Sequence, residues 1–546
     1  MAGKFPEFGY NPLTGEWNDT LAGEFLWSNV NVSEAVPDVM TPSTWSLWWI
    51  FHYETNPIKF PGQIPFCGNV CGRPYFNLSL LASIYRAVGR DVNKELQADL
   101  IGSVSAELEM PILPFSAWQV YRTVFPGTLK ARWLMRRCHR EMARFLAVTP
   151  EMCSATRKTL VETHTTADLL QVWTETLKPL IVLACDMLRT VTADLGGPST
   201  RLRQELSTLV EPTDANILLS NLAGPAGGLA SLEPLLGLAQ VRDGRMSRAA
   251  YLERYGHRSP HEMELFAPGA EDTQDWFETQ LMSFTESAGK VESLLEKQRA
   301  ERLAAWERFA SRYPKKINTI HRDLEQVAIA ARNREGVRSE VTRVARLVRS
   351  YLLRAGDLTG SGDSVFFLSL DETADLLTGN RVSLSRVPSR REMYFKYSSF
   401  PPYPAIIIGK FDPFQWVADP GRRSDYFDSR KDGMPITKTI KGFAGAAGIV
   451  EGIVRRIDRV EEGDQIQPGE ILVTTITNVG WTPLFPRLSA IITDVGAPLS
   501  HAAIVAREMG IPAVVGCGNA TMLLKTGDRV RVDGGAGTVK VLERMD

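Results

Sequence analysis

Ile491-Ile-Thr-Asp-Val-Gly-Ala-Pro-Leu-Ser-His-Ala-Ala-Ile-Val-Ala-Arg-Glu-Met-Gly-Ile-Pro-Ala-Val-Val-Gly516 reads as a strand, a tight turn, a helix and a second strand. The apolar run ends at Thr493, and Gly496, Ala497 and Pro498 supply the turn. Ser500 stands where it caps a helix whose first residues include His501. Gly510 stops that helix, with Pro512 just beyond. A histidine at a helix N-terminus sits where free backbone N–H groups and the helix dipole favour an anion. The same field disfavours the protonated ring, so the imidazole stays neutral and nucleophilic. Those are the requirements of a histidine that accepts a phosphoryl group and holds it on nitrogen. Small Ala502 and Ala503 leave room for a substrate. On geometry alone a purely structural histidine is the commoner case.

Outward from this stretch, strands are the common element. Ile449–Ile457 and Ile471–Thr477 are β-branched runs separated by Gly-Asp and Pro-Gly turns, and Arg529–Val532 and Thr538–Leu542 add two more. Residues 441–546 therefore read as a compact α/β domain. Before it, residues 397–440 carry SSFPPYP, DPFQWVADPG and RKDGMP and read as a long connector, with one strand-like run at Ala405–Ile408. Val365–Leu370 reads as a buried strand followed by a short helix beginning near Asp371. From about residue 80 to 360 the periodicity is helical, as in Val337, Val341, Val344, Val348 and Tyr351. Arg343, Arg346 and Arg349 share that helix, as a solvated basic face or a phosphate-attracting surface. The first 80 residues are dense in aromatics broken by prolines and glycines, predicting irregular structure with short helices.

Composition narrows the class without naming the chemistry. The 546 residues allow two to four domains, and 44% hydrophobic with 23% charged residues excludes a disordered or fibrous chain. A net charge of −1 gives no bulk attraction to nucleic acid or an acidic membrane, so neither is an expected partner. Six cysteines are too few for a disulfide scaffold of this size, and Cys67 and Cys71 lack a second pair at metal spacing, so no metal is expected. The first twenty residues have no signal-peptide core, and Lys178, Pro179 and Asp186 interrupt the apolar stretch Leu177–Leu188. A soluble cytoplasmic protein is the expectation.

The stretch around His501 resembles the phosphohistidine motif of the phosphoenolpyruvate-utilising enzymes, through Thr493, Gly496, Ser500, His501, Ala506, Arg507, Gly510, Ile511, Pro512 and Gly516. Gly442–Gly452, Trp481–Phe485 and Thr526–Gly534 resemble flanking elements of the same domain. The resemblance implies a phosphorylatable His501, with Thr493, Gly496, Ser500 and Arg507 binding substrate or phosphate. Ala497 replaces a second glycine usual in the dikinase branch, and Leu499 looks like the rifampicin phosphotransferase branch, which weakens pyruvate or phosphoenolpyruvate as substrate. Asp19–Trp49, Gly72–Asn77, Leu222–Leu238, Tyr251–Leu265 and Asp363–Asp371 resemble the acceptor-binding domain of that branch. The implied architecture is a mainly α-helical acceptor-binding domain (1–396), the connector (397–440) and a swivelling β/β/α phosphohistidine domain (441–546).

Tyr255-Gly-His-Arg-Ser-Pro-His-Glu262 is the candidate acceptor site. His257 or Glu262 would accept a proton from a substrate hydroxyl, and Arg258 would offset charge on the moving phosphoryl group. A buried polar network pinning the loop is the equal alternative, while Pro260 argues against a His257/His261 metal pair on a continuous helix. Trp45, Trp48 and Trp49 read as core individually and as an apolar acceptor pocket collectively. Gly224–Gly228 lacks a phosphate-loop pattern and reads as a helix boundary.

In the resembling single-chain enzymes a nucleotide-binding ATP-grasp domain precedes the acceptor domain, whereas here Met1 lies just before the acceptor-domain resemblance. The expectation is the acceptor-plus-phosphohistidine subunit of a split aryl phosphate synthase, of the phenylphosphate synthase or cresol-phosphorylating type. A separate ATP-grasp-type subunit would bring Mg-ATP, charge His501, and leave this chain to phosphorylate a small aromatic hydroxyl, in a hetero-oligomer. The alternatives are a rifamycin-like or other hydroxylated acceptor, a ligase-like reaction, and a non-enzymatic phosphohistidine carrier.

Overall fold

The computed structural model describes residues 9–545, apart from 12, 13, 31, 93–108, 220–231, 270, 271, 274, 286, 287, 431–439 and 499. The aromatic N-terminal segment supplies three strands, β1 (Leu26–Ser28), β2 (Cys67–Val70) and β3 (Arg73–Asn77), and the helix α1 (Pro42–Trp49). The two-residue turn between β2 and β3 has positive φ at both Cys71 (51°) and Gly72 (86°), the geometry that matches the twist of a hairpin. A Cβ on Gly72 would lie 2.4 Å from Val39 Cγ1, so the hairpin needs glycine there. This segment is more regular than its prolines and glycines suggest. Leu26 and Trp27 are fully buried, and that burial holds β1 in a sheet.

Three long helices follow: α2 (Ala117–Glu162), α3 (Lys178–Leu209) and α4 (Ile317–Thr359). Their shared core takes Met142, Phe145, Ile181, Met187, Val344 and Val348, and Trp173 stacks on Tyr351. The apolar stripe of α4 is buried as its spacing predicts, at Val337, Val344, Val348 and Tyr351. The arginines beside it are not a solvated face. Arg346 and Arg349 are buried and grip the carbonyls of Ala267, Leu265 and Phe266 together with Asp272. Arg343 pairs with Glu340 and the carbonyls of Glu253 and Arg254. The face therefore holds Glu253, Arg254, Leu265 to Ala267 and Asp272 against the helix.

Two further expectations are corrected. Gly362–Phe367 is a 3-10 helix, not a strand, with the next helix at Leu370–Leu377 capped by Ser369 and Glu372. Val365, Phe366 and Phe367 are buried on all sides, and a short unbroken apolar run carries no periodicity that separates the two geometries. The presumed connector is built into the fold up to Arg430. β4 (Ile406–Ile408) pairs antiparallel with β1 and parallel with β5 (Tyr426–Asp428), giving the sheet order β2-β3-β1-β4-β5. Its prolines and glycines mark turns between short elements. Residues 431–439 of that segment, like Gly224–Gly228 and Leu499, lie outside the described residues.

The mainly helical N-terminal region thus gives way to a β-rich C-terminal domain. Its strands are β6 (Ile440–Lys441), β7 (Phe443–Ala446), β8 (Ile449–Arg456), β9 (Ile471–Thr474), β10 (Ala490–Thr493), β11 (Ala513–Val515), β12 (Arg529–Asp533) and β13 (Thr538–Glu543). They form one sheet, β6-β13-β12-β8-β9-β10-β11-β7. β8 to β11 run parallel, and α5 (His501–Met509) crosses from β10 to β11. The N-terminus of α5 therefore lies at the carboxyl ends of parallel strands, where α/β sheets place ligands. The domain docks on the helical region through an apolar cluster that joins Leu235, Tyr251, Tyr255 and Phe284 to Trp481, Phe485, Ala503 and Met509. Among the described residues no helix is long and apolar enough to cross a membrane.

Candidate phosphohistidine site

The loop between β10 and α5 is shaped by Gly496, whose φ is +147° and whose Cβ would lie 3.2 Å from Val515 and 3.3 Å from Ser500 Oγ. Ser500 is extended (φ −68°, ψ 159°) and its hydroxyl accepts the Ala503 N–H at 3.3 Å, so it is the N-cap and His501 the first helical residue. Gly510 closes the helix in the left-handed conformation. Ala502 and Ala503 do not line an approach for substrate. Both are buried in the cluster that docks the domain, where small side chains permit close packing.

His501 is buried, with its ring between two threonines. Thr477 Oγ1 lies 3.2 Å from Nδ1 and Thr482 Oγ1 lies 3.2 Å from Nε2. The edge of Phe485 packs against the ring, centroid to centroid 5.9 Å. Burial, with the positive charges of Arg338 and Arg258, pushes the imidazole pKa down to about 3. The ring is therefore neutral at physiological pH, with one N–H and one lone pair. A hydroxyl both donates and accepts, so the two threonines satisfy either tautomer. Whichever nitrogen carries the lone pair is an un-ionised nucleophile.

A carboxylate from the other end of the chain completes the helix end. Glu34 Oε2 accepts the His501 backbone N–H at 2.8 Å, and the Ser500 hydroxyl also supports it. Glu34 thus fills the anion position that a helix N-terminus provides. Burial raises its pKa to about 7, opposed by those hydrogen bonds and by Arg338 and Arg334. Its second oxygen, Oε1, is buried and has no hydrogen-bond partner among the described residues.

The loop singled out by sequence lies across this interface. Arg258 Nε donates to Glu262 Oε2 at 2.8 Å, with both side chains 4% exposed, and Arg338 Nη2 stands 3.9 Å from Glu262 Oε1. Arg338 and Arg258 are the cations whose charge reaches His501 among the described residues. His257 points elsewhere: its Nε2 meets Ser339 Oγ on α4 at 2.8 Å. The loop thus serves as a buried polar network and also brings one predicted cation toward the histidine. His261 has Asp38 at 2.8 Å and Glu461 at 3.0 Å, a bridge to the C-terminal domain, and no metal pair. Asn478 Nδ2 donates to the Pro260 carbonyl at 2.8 Å beside it.

The predicted phosphate-binding residues divide. Thr493, Gly496 and Ser500 gather around the turn, and Thr493 Oγ1 is buried without a partner among the described residues. Arg507 is not with them. It lies six residues along α5 from His501, about 9 Å of rise, and its Nη2 donates to the carbonyls of Gly445 (2.7 Å) and Pro498 (3.0 Å). It braces the loop from behind. Sequence reading missed Glu34, Arg338, Thr477 and Thr482 as site residues. Thr482 lies within Trp481–Phe485 and Glu34 within Asp19–Trp49, segments whose resemblance marks a motif but carries no signal for a contact made only in the folded chain.

A cleft of about 1020 Å³ opens between the two parts and is lined by Asp38, Arg73, His261, Glu264, Thr477 and Trp481 among others. Thr477 connects it to the His501 ring. The tryptophans fall mainly to the core: Trp45 is buried, Trp49 stacks on Tyr53, and Trp48 lines an apolar pocket of about 70 Å³ with Phe51 and Met263. Among the described residues no group of three or more His, Cys, Asp or Glu side chains is arranged to hold a metal ion.

Residues 466–537, which contain His501, match the PEP-utilising enzyme mobile domain. A rifampicin phosphotransferase of a Streptomyces species is 29% identical over 330 residues, covering 58% of this chain and 36% of that protein. The rifampicin phosphotransferase of Bacillus cereus is 32% identical over 186 residues, 33% of this chain and 19% of that protein. The uncharacterised phosphotransferase YvkC of Bacillus subtilis is 36% identical over 202 residues, 36% of this chain and 24% of that protein. The chain thus spans between 19% and 36% of the length of these relatives. The family match is confined to the C-terminal domain, and the similar proteins named here are called phosphotransferases.

Proposed function

We propose, on the premise of a PEP-utilising-type mobile domain, that this chain is a phosphotransferase in which His501 carries the phosphoryl group between a donor and a hydroxylated acceptor. The observation that carries the reading is a neutral His501 at the start of α5, both ring nitrogens facing hydroxyls and two arginines nearby. At the donor the nitrogen lone pair forms the P–N bond as the donor's own bond to phosphorus breaks, its electron pair leaving with the rest of the donor. At the acceptor the P–N bond breaks, and the hydroxyl oxygen forms a P–O bond. Arg258 and Arg338 offset the phosphoryl charge. The docked arrangement represents the acceptor step, with the acceptor arriving through the cleft and water excluded by the apolar cluster. Charging requires the C-terminal domain to leave, breaking the Glu34–His501, His261–Glu461 and Asn478–Pro260 contacts.

The acceptor in this reading is an aromatic hydroxyl compound, and Mg-ATP reaches His501 through a nucleotide-binding subunit on a separate chain. The size of the cleft favours a second reading, a bulky hydroxylated acceptor of the kind named for the rifampicin phosphotransferases. The test is transfer from the charged protein to phenol, p-cresol and rifampicin, followed by product mass. Gain of one phosphoryl group by any of them, lost in His501→Ala, supports the proposal. Equal transfer by His501→Ala refutes it.

A further inference from the structure

We infer that Glu34 takes the proton of the acceptor hydroxyl as the phosphoryl group leaves His501. The inference rests on the phosphotransferase reading above. Three observations carry it. Glu34 bonds directly to the residue that would be phosphorylated, through the His501 backbone N–H at 2.8 Å. That bond uses Oε2 and leaves Oε1 buried and without a partner among the described residues, a vacant acceptor position on a carboxylate already tied to His501. A buried carboxylate oxygen left unpaired is costly, and a substrate O–H would satisfy it. The chain just beyond it, Pro37 to Val39, lines the large cleft, and so does Thr477, the partner of His501 Nδ1.

The neighbouring carboxylates lack this opening. Glu262 has one oxygen on Arg258 and the other facing Arg338. Glu264 accepts from Thr41 and Phe266. Asp38 is paired with His261. His257 also has a buried ring nitrogen, Nδ1, without a partner among the described residues, but its Nε2 anchors it to Ser339 on α4 and nothing among those residues joins it to His501. Glu34 also balances acid against base near neutrality, since burial holds its pKa at about 7.

The step balances. The P–N bond breaks and its electron pair returns to the ring nitrogen, while the ring's other nitrogen keeps its proton against a threonine hydroxyl. The acceptor oxygen forms the P–O bond and its proton passes to Glu34 Oε1. Imidazole departs neutral, Glu34 ends protonated, and the phosphate ester keeps the two negative charges of the phosphoryl group. The charges of Arg334 and Arg338 offset the repulsion between that group and the carboxylate before transfer.

The experiment charges the full chain at His501 with phosphoramidate, then follows discharge to phenol, p-cresol and rifampicin, expressed per charged molecule. Glu34→Gln should slow discharge roughly 100-fold or more, and Glu34→Asp should retain an intermediate rate. The wild-type rate should rise with pH and level off near the Glu34 pKa, and that bend should be missing from Glu34→Gln. Discharge of Glu34→Gln within about twofold of wild type, with the bend retained, would overturn the inference while leaving the phosphotransferase reading intact. If none of the three discharges charged wild type, the proposed function fails and this inference with it. Should Glu34→Gln not fold, Glu34→Asp decides: a displaced bend is expected, and an unchanged rate and bend would overturn it.

Discussion

Glu34 Oε2 lies 2.8 Å from the backbone nitrogen of His501, although 467 positions separate the two residues in the chain. The contact places a carboxylate from the N-terminal region where the α5 terminus favours an anion. It also ties the reactive end of one domain to the other. A phosphoryl group on His501 competes for the same field, so the state of the histidine and the docking of the domain are linked through one hydrogen bond.

The threonines that flank His501 should control its nucleophilicity. Thr482→Val and Thr477→Val each leave a ring nitrogen without its hydroxyl, at a cost of about 1 kcal/mol, or roughly a fivefold loss in charging rate. Phosphoramidate charging followed by intact mass reads this directly. The double variant should lose more than either single variant, because one hydroxyl remaining still selects a tautomer.

Docking should fail when Gly480 gains a side chain. A Cβ there would lie 2.6 to 2.7 Å from Pro260 in the opposing loop, closer than packed atoms tolerate. Gly480→Ala should open the two parts, increase the radius of gyration in solution scattering, and slow discharge of charged His501 more than charging itself.

Much of the C-terminal domain was legible. β10 and β11 fall where their β-branched runs lie, and α5 begins one residue after its serine cap, because local turn and cap chemistry decides those boundaries. The N-terminal sheet was not legible: β1 meets β4 across nearly 380 positions, and no local period reports such a pairing. The site divides in the same way. His501 is announced by its own turn and helix, whereas Glu34 and Arg338 reach it only through docking, and Arg507, although part of the motif, faces two carbonyls instead.

The His261 bridge should weaken with alkali. Hydrogen bonds to Asp38 and Glu461 raise its pKa to about 10 from an ordinary 6.5. A raised base stabilises the folded, docked state fully below 6.5 and loses that contribution as pH climbs toward 10. The groups are partly exposed, so the effect is modest and screened by salt. Melting temperature should fall between pH 7 and 9 in wild type, and less steeply in His261→Gln.

Arg258 and Glu262 should behave as a buried pair. Arg258→Met leaves Glu262 4% exposed with Arg338 as its remaining cation, a loss of about 3 kcal/mol. Arg258→Met combined with Glu262→Leu should recover much of that stability by denaturant unfolding, since no buried charge is then stranded. Phosphoryl transfer should stay impaired in the double variant, because a cation near His501 is gone.

The most direct test is the position of the phosphate. Wild-type protein incubated with phosphoramidate, digested at alkaline pH and mapped by mass spectrometry should carry one acid-labile phosphoryl group on the peptide containing His501, and this should disappear when a hydroxyl acceptor is added. Phosphate found on another histidine, or on none, or still present in His501→Ala at the wild-type level, would contradict the account.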